Sequence, residues 1–226
     1  MAPTRGFGAP TRGLGAPMRV LGLALAGGRS RRMGRDKAWI EFEGEPLAAR
    51  ALRRLAPQVA AIGLSVREPT REFKDLSERF GAALLPDDPA HVGAGPLAAL
   101  AAGLRHARAA GFDALATVPC DAPFFPLDVV ACLTEGFTKV DGGALSCLAR
   151  SARGIEPAFG LWRLDALPAV ETALERPGAA LRDAFVAADG VEIAFAAATP
   201  DPFLNLNAPD DVERARARAR IASDEP

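Results

Sequence analysis

From Val20 onward, short apolar runs alternate with longer segments in which apolar residues recur at helical spacing. Strands are predicted at 20–26, 60–66, 82–86, 113–119, 143–149, 156–162 and 191–196. Helical segments are predicted at 45–58, 70–80, 96–111, 126–136, 164–188 and 209–221. Alternation of this kind is produced by βαβ crossovers, which place strands in parallel and helices on both faces of the sheet. The pattern therefore predicts a three-layer α/β fold around a mainly parallel sheet.

The segment 143–162 departs from this alternation, because it leaves little room for a helix between its two predicted strands. A hairpin is expected there, which makes the sheet mixed. In open parallel sheets, ligands bind beyond the carboxyl ends of the strands. The loops 27–37, 87–96 and 120–124 are therefore predicted to lie along one edge of the sheet.

The first residues have a different composition from the rest of the chain. Residues 2–19 contain the near-repeats "APTRGFG", "APTRGLG" and "APMR", which are rich in Pro, Gly and Arg. Such a segment buries too little apolar surface to order itself, so residues 1–18 are predicted to form a disordered tail. The alternative is a cationic arm that touches a partner. Residues 19–222 are predicted to form a single domain.

Composition excludes several function classes. The formal net charge of −1 gives no overall attraction to nucleic acid or to an anionic membrane, so neither is expected as a partner. No apolar run approaches the roughly 18 residues of a transmembrane helix. Three scattered cysteines favour a reducing compartment, and we expect a cytoplasmic protein that is a monomer or a weak oligomer.

The loop after the first strand, "LALAGGRSRRMGRDKAW" at residues 23–39, combines glycines with cations. It matches neither a P-loop nor a dinucleotide fingerprint. Gly27 and Gly28 allow backbone N–H groups to point inward and form a concave anion site, to which Arg32 and Lys37 would add charge. This favours polyphosphate binding, although the other cations would equally suit a solvated loop surface. These are Arg29, Arg31 and Arg35.

A second candidate is "TVPCDAPFFP" at residues 117–126, where Asp121 follows a buried strand and lies between Pro119 and Pro123. A carboxylate fixed at a strand end and facing a phosphate loop suits Mg²⁺ that is bound jointly by protein and substrate phosphates. The alternative is a helix N-cap. The neighbouring Cys120 is expected to be a small buried side chain and not a nucleophile.

Three further sites are weaker. Gly95 and Pro96 begin a helix, either as ordinary turn residues or as a backbone wall against a nucleotide base. Asn205 and Asn207 lie two residues apart, so on an extended segment both amides face one side and could contact metal or phosphate; ordinary capping is the alternative. Asp87 and Asp88 form an acidic pair in a loop, and one of them could hold a ribose or a base.

The motifs "LAGGRSRRMGRDKA", "GPLAAL", "PCDAPF" and "FLNLNAPDDV", in this order, resemble those of the molybdenum cofactor guanylyltransferases over residues 19–216. The resemblance implies a three-layer Rossmann-like nucleotidyltransferase fold. It also implies transfer of GMP from GTP to the terminal phosphate of molybdopterin, with release of pyrophosphate. The first motif alone marks the wider superfamily, but "LAGG" and "NLNAPDD" favour the guanylyl branch, because cytidylyl relatives tend to read "LAAG".

The resemblance also implies roles for particular residues. It places phosphate binding at Lys37, a base or ribose contact at Asp87 and Mg²⁺ at Asp121. It places nucleotide contacts at Leu25, Ala26, Gly27 and Gly28. Family members often have "SANR" after the second strand where this chain has "LSVR", which makes Ser65 the nearest substitute for the asparagine. The usual Asn-Thr-Pro is Asn-Ala-Pro here.

The predicted chemistry is in-line nucleotidyl transfer, with Lys37, Arg32 and Asp121 as catalytic residues. The attacking phosphate is already an anion, which agrees with the absence of an obvious catalytic histidine. Expected partners are GTP, molybdopterin, and molybdoenzymes or their chaperones. The alternatives are a cytidylyl- or sugar-phosphate nucleotidyltransferase and a non-catalytic nucleotide- or cofactor-binding protein. The presence of both Lys37 and Asp121 argues against the last.

Overall fold

The computed structural model describes residues 18–26, 36–91, 94–140, 143–198, 201–207 and 210–215. The strands are β1 Val20–Leu25, β2 Glu41–Phe42, β3 Glu45–Pro46, β4 Ala61–Val66, β5 Ala83–Pro86, β6 Ala114–Pro119, β7 Ser146–Ser151, β8 Gly154–Arg163 and β9 Val191–Ala194. The helices are α1 Leu47–Leu55, α2 Arg71–Phe80, α3 Pro96–Ala109, α4 Val129–Thr138, α5 Leu167–Leu174 and α6 Leu181–Ala187. Residues 210–215 are also helical. The alternation of strands and helices predicted from the sequence is confirmed.

Seven strands form one sheet in the order β5-β4-β1-β6-β8-β7-β9. Among these seven, β8 alone runs against the others, because it pairs antiparallel with both β6 and β7 while the remaining pairs are parallel. β7 and β8 form the predicted hairpin, which closes between Ser151 and Gly154. The mainly parallel, mixed sheet is therefore confirmed.

Two apolar clusters place helices on both faces of this sheet. One cluster joins α1, α2 and α4 to the sheet, and the other joins α3, α5 and α6 to it. Successive residues of β1 divide between them: Leu21, Leu23 and Leu25 belong to the second cluster, and Val20 and Ala24 to the first. A strand that is buried on both faces needs the continuous apolar run that the sequence shows. The three-layer prediction is confirmed.

Helix α3 packs against the sheet at unusually short range through Gly103. A Cβ atom at this position would lie 2.6 Å from Cδ2 of Leu23 and 2.9 Å from Cδ2 of Leu115. The helix approaches β1 and β6 this closely because position 103 has no side chain. This contact fixes α3, whose first residues border the site, against the two central strands.

The structure differs from the prediction at the start of the first helix. The helix begins at Leu47 and not at residue 45, because Glu45–Pro46 pairs with Glu41–Phe42 in a short hairpin. Its turn residues, Glu43 and Gly44, both have positive φ, of 51° and 80°. Consecutive residues with positive φ are typical of tight hairpin turns. "EG" at 43–44 was the signal for this hairpin.

The predicted helical segment 164–188 consists of a 3-10 turn and two helices, α5 and α6. Pro177 and Gly178 lie between the two helices, and Gly178 has φ of +79°. Proline cannot continue a helix, and positive φ favours glycine, so the break is local. The final predicted helix, 209–221, is described over 210–215 only.

The terminal segments add a third apolar cluster. Ile40, Phe42 and Leu47 pack with three residues of the last described segments, which are Leu206, Val212 and Ala215. Of the predicted tail, residues 1–17 lie outside the described residues. Met18, the last residue of the predicted tail, is partly buried and packs against the main core. No helix within the described ranges is long and apolar enough to cross a membrane.

Candidate active site

The topology opens a cleft between the ends of the central strands. After β1, the chain forms β4 and β5 on one side of this strand and then β6 on its other side. The order of the strands therefore reverses direction at β1, next to the carboxyl ends of β1 and β6. Such a switch point is where ligands bind in open α/β sheets. The cleft contains about 820 Å³ of empty space, including its mouth. Several predicted site residues line it: Leu25, Ala26, Lys37, Asp87, Gly95, Pro96, Asp121 and Asn205.

Three polar side chains meet in this cleft. Lys37 Nζ donates to Asp121 Oδ2 at 2.7 Å and to Asn207 Oδ1 at 2.6 Å. The side chains of Lys37 and Asp121 are only 18% and 17% exposed. Lys37 begins a short 3-10 turn, Lys37–Trp39, whose N-cap Asp36 accepts a hydrogen bond from the Ala38 N–H at 3.0 Å. The turn places the ammonium group over the end of β6.

Backbone hydrogen bonds hold the two asparagines beside Asp121. The Leu206 N–H donates to the Asp121 carbonyl at 2.8 Å, and the Asn207 N–H donates to Asp211 Oδ2 at 2.8 Å. Asn205 lines the cleft, and its Oδ1 is buried without a hydrogen-bond partner among the described residues. The segment 204–207 therefore brings two amide oxygens to the neighbourhood of one carboxylate.

This donor set fits Mg²⁺ shared with a substrate, and not a site formed by protein side chains alone. Within the described part of the chain, no group of three or more His, Cys, Asp or Glu side chains could hold a metal ion. Mg²⁺ commonly takes one or two carboxylates and completes its coordination with phosphate oxygens and water. Asp121, with the unpartnered Asn205 oxygen and that of Asn207, supplies oxygen ligands of this kind.

Asp87 lines the same cleft and directly follows strand β5. Asp87 is only 7% exposed, and its backbone N–H donates to the Val66 carbonyl at 2.9 Å. Burial raises the pKa of the Asp87 carboxyl, and the charge of Arg67 opposes this effect. A carboxylate in this position can accept hydrogen bonds from ribose hydroxyls or from base N–H groups.

Gly95 and Pro96 form another part of the cleft wall, where α3 begins. Gly95 has φ of +68°, a conformation that side-chain-bearing residues rarely adopt, and Pro96 takes the first helical position. Ala99 and Ala158 complete the apolar lining, and sequence analysis singled out neither of them. Single alanines on a helix and on a strand give no signal of such a role.

The sequence profile of the MobA-like NTP transferase domain matches residues 22–191.

The chain belongs to this family.

Similar curated proteins include two named molybdenum cofactor guanylyltransferase. That of Rhodobacter capsulatus is 38% identical over 88% of this chain and 95% of its own length. That of Cereibacter sphaeroides is 39% identical over 88% of this chain and 96% of its own length. The resemblance inferred from the motifs is confirmed, and the chain is a nucleotidyltransferase.

A similar solved structure is molybdopterin-guanine dinucleotide biosynthesis protein A from Archaeoglobus fulgidus. It superposes with a TM-score of 0.70 at 24% identity and covers 91% of this chain and 99% of its own. At this identity the likeness concerns the fold. It confirms the Rossmann-like nucleotidyltransferase architecture.

In this MobA-like transferase, Ser65 contributes to the cleft through its backbone. Its side chain is fully buried, does not line the cleft, and its Oγ has no hydrogen-bond partner among the described residues. The Ser65 carbonyl instead accepts a hydrogen bond of 2.9 Å from the N–H of Ala26. Contact between the Ser65 side chain and the nucleotide stays a prediction, and the burial of this side chain disfavours it. The next residue, Val66, is also buried.

Some predicted site residues lie outside the described part of the transferase. These are Gly27, Gly28 and Arg32, with Arg29, Arg31 and Arg35. Cys120 is described, lines the cleft and is buried. Burial, with the neighbouring Asp121 charge as a smaller cause, raises the pKa of the Cys120 thiol far above its ordinary value. A thiol held in its protonated form is not a nucleophile, in agreement with the sequence analysis.

Three residues of the first helical segment that contact the site were not predicted from the sequence. Arg50, Arg54 and Gln58 contact the turn that follows Asp121, at residues 123–126. Their i, i+4, i+8 spacing was the available signal, since it places three polar side chains on one face of a helix. The sequence alone does not say that this face meets another part of the protein.

Proposed function

We propose that the chain transfers GMP from GTP to the terminal phosphate of molybdopterin, releasing pyrophosphate and forming the guanine dinucleotide cofactor. The observation that carries the proposal is the contact of Lys37 with Asp121 and Asn207 inside the cleft at the switch point. Relatives named molybdenum cofactor guanylyltransferase support the choice of substrates, because they align over nearly the whole domain.

The nucleotide would lie across the ends of β1, β4 and β6. Leu25 and Ala26 line this space, and Gly95 and Pro96 form a wall on which a base can rest. Asp87 accepts hydrogen bonds from the ribose hydroxyls or from the guanine N–H groups. Gly27 and Gly28, which follow Ala26 directly, would extend the backbone contacts toward the phosphates.

The reaction is an in-line displacement at the α-phosphorus of GTP. An oxygen of the molybdopterin phosphate forms a bond to this phosphorus, while the bond to the bridging oxygen of the leaving pyrophosphate breaks. The attacking oxygen is already anionic, so no proton has to be removed. This agrees with the cleft, since none of the described residues that line it is a histidine.

The side chains act by neutralising charge and holding the reacting groups in place. Lys37 is already in the cleft and would donate to phosphate oxygens on the pyrophosphate side when GTP binds. Arg32 would add a second positive charge from the glycine-rich loop. The opposing charges make the pyrophosphate a better leaving group, because they stabilise the negative charge that develops on it.

The protein would use Mg²⁺, held by Asp121 with Asn205 and Asn207. When bound, the ion supplies positive charge to the phosphate oxygens. The turn around Asp121 orients the carboxylate, and the hydrogen bond between Leu206 and the Asp121 carbonyl keeps the asparagines next to it.

The molybdopterin would enter from the second half of the sheet. The β7–β8 hairpin lies at the same edge of the sheet as the cleft, because β8 runs antiparallel to the other six strands, and Ala158 of β8 lines the cleft.

We place the enzyme in the cytoplasm as a monomer or weak oligomer that delivers its product to molybdoenzymes or their chaperones. The three described cysteines are free, as expected of a reducing compartment.

The experiment measures binding of GTP, CTP and ATP by calorimetry, each with Mg²⁺, followed by pyrophosphate release with GTP and molybdopterin. We expect GTP to bind best and pyrophosphate to appear only when molybdopterin is present. Asp121→Asn should slow the release by about 10²- to 10³-fold. Preference for CTP would assign the chain to another nucleotide specificity, and tight GTP binding without pyrophosphate release would support a non-catalytic binding protein.

A further inference from the structure

One face of α1 and of the 3-10 turn after it is directed at the turn that follows Asp121. Arg50 and Arg54 lie on α1, and Gln58 ends the 3-10 turn Ala56–Gln58. The three side chains are spaced four residues apart, so they follow one another along the same side of the helical segment.

The two arginines bind three successive backbone carbonyls of this turn. Arg50 Nε donates to the Pro123 carbonyl at 3.0 Å. Arg54 Nε donates to the Phe125 carbonyl at 3.0 Å, and its Nη2 donates to the Phe124 carbonyl at 3.2 Å. The planar guanidinium of Arg54 thus spans two neighbouring peptide groups, a geometry that a lysine ammonium does not reproduce.

Gln58 extends the same contact by one residue. Its Nε2 donates to the Pro126 carbonyl at 3.3 Å, while its Oε1 accepts from the Val130 N–H at 3.0 Å. Four consecutive carbonyls, at residues 123–126, are therefore bound by side chains of the α1 segment. The Pro126 carbonyl also accepts a hydrogen bond of 3.3 Å from the Val129 N–H, so these side chains add to the backbone hydrogen bonds of the turn.

The same helix is connected to Lys37. The 3-10 turn that carries Lys37 is followed by Ile40, whose carbonyl accepts a hydrogen bond of 2.9 Å from the first helical N–H, that of Leu47. Glu43, in the intervening hairpin turn, pairs with Arg50 at 2.8 Å. Arg50 therefore links the hairpin after Lys37 to the turn after Asp121.

We propose that Arg50 and Arg54 are positioning residues that hold Asp121 at its working distance from Lys37. They act on the carboxylate through the backbone of residues 123–125 and do not touch the substrate. The inference rests on the proposed function only in taking Asp121 as the carboxylate that receives metal-bound nucleotide. A shift of about 1 Å in such a group can cost about 10²-fold in rate, which is why the turn needs this support.

The surroundings of Arg54 suit a fixed contact. The side chain is half-buried and its guanidinium carbon lies 5.3 Å from the ring centre of Phe125. Burial lowers the pKa of the Arg54 guanidinium from its ordinary value, and the group remains charged at neutral pH. A charged guanidinium confined against an aromatic ring has few alternative partners, so it keeps the carbonyls in place.

The test compares Arg54→Lys with Arg53→Lys. Arg53 is the adjacent residue, is 57% exposed and pairs with Glu45 without touching the turn, so it is the matched control. GTP affinity is measured by calorimetry with and without Mg²⁺, together with the thermal midpoint and the kcat and KM for GMP transfer. Arg50→Lys replaces Arg54→Lys in the comparison if the latter does not fold.

We expect the affinity of Arg54→Lys for metal-free GTP to lie within about twofold of that of the unmodified chain. The increase in GTP affinity on adding Mg²⁺ should fall at least about tenfold, and so should kcat. Arg53→Lys should change neither. An unaltered Mg²⁺ effect in Arg54→Lys would overturn the proposal. So would an equal loss of GTP affinity with and without Mg²⁺ alongside a lowered thermal midpoint, because that pattern indicates a role in stability alone.

The two proposals fail in different ways. If the unmodified chain binds GTP with Mg²⁺ but transfers no GMP, the proposed function is wrong. The effect of Mg²⁺ on GTP affinity in Arg54→Lys still decides the positioning proposal, because it requires no turnover.

Discussion

Lys37 Nζ lies 2.7 Å from Asp121 Oδ2, although 84 residues separate the two side chains along the chain. One follows β1 and the other follows β6, and the parallel pairing of these strands brings their carboxyl ends together. The contact therefore follows from the sheet topology, and it places a cation and a carboxylate where the proposed chemistry needs both.

Replacing Asp121 with asparagine should remove the negative charge while retaining the shape of the side chain. We expect kcat/KM for GMP transfer to fall by about 10²- to 10³-fold, since a charge-stabilising group is lost. Calorimetry should show that Mg²⁺ no longer strengthens GTP binding. Retention of the Mg²⁺ effect in this variant would place the metal elsewhere.

Lys37→Gln should weaken both binding and turnover, because the glutamine keeps most of the length but not the charge. A loss of about 10²-fold in kcat/KM is expected. Lys139→Gln is the control, since Lys139 is 71% exposed and pairs with Glu135 on α4. Equal effects in the two variants would show that net charge, and not position, is responsible.

Ser65→Ala tests whether the serine hydroxyl contacts nucleotide. The Ser65 hydroxyl is buried and has no hydrogen-bond partner in the described ranges, so removing it should leave GTP affinity within about twofold and raise the free energy of unfolding by about 1 kcal/mol. Urea denaturation and GTP titration measure the two quantities. A fivefold or greater loss of GTP affinity would instead support the side-chain contact predicted from the sequence.

Asp87→Asn should separate stability from binding. Because the pKa of Asp87 is raised in the folded state, folding favours the protonated carboxyl. Ionisation of this carboxyl therefore destabilises the protein progressively as pH rises from 3.8, the ordinary pKa of an aspartate, through the raised pKa of the folded state. The variant should therefore melt at a higher temperature than the unmodified chain at pH 7, and this difference should vanish below pH 3.8.

Loss of the same carboxylate should weaken GTP binding by about tenfold, because a charged hydrogen-bond acceptor is removed. Thermal melts over a pH series and GTP titrations check both effects. A variant that is less stable than the unmodified chain at pH 7 would show that Asp87 is held by favourable charge contacts.

Gly103→Ala should destabilise the fold by about 1–2 kcal/mol despite the higher helix propensity of alanine. The added Cβ would lie 2.6 Å from Leu23 Cδ2, so α3 or β1 must shift. Ala102→Gly on the same helix measures the propensity effect alone. A stability gain in urea denaturation of Gly103→Ala would contradict the packing described for α3.

Much of the fold follows from local pattern. The run 20–26 and the alternation after it predict a buried central strand and crossovers, because periodicity reports which faces are buried. The short hairpin at 41–46 was missed, since two-residue strands are too short to show a period. Helices were predicted within 164–188, and Pro177 and Gly178 mark the break between α5 and α6.

The meeting of Lys37 and Asp121 could be predicted, because each follows a strand whose carboxyl end lies at the same edge of the sheet. The site was less predictable where function depends on tertiary contact. The burial of the Ser65 side chain depends on what covers β4, and the role proposed for Arg54 depends on a turn 71 residues away. Neither kind of contact leaves a periodic signal in the sequence.

The place of β1 in the sheet has a consequence for how the chain is made. Among the described strands β1 comes first along the chain, yet it lies between β4 and β6, whose pairing residues extend to Pro119. Its edge toward β6 therefore stays unpaired until about half of the chain has been synthesised. Such non-local pairing slows folding and leaves a hydrophobic segment open to aggregation, so early β1 is where a nascent-chain chaperone would protect this protein most.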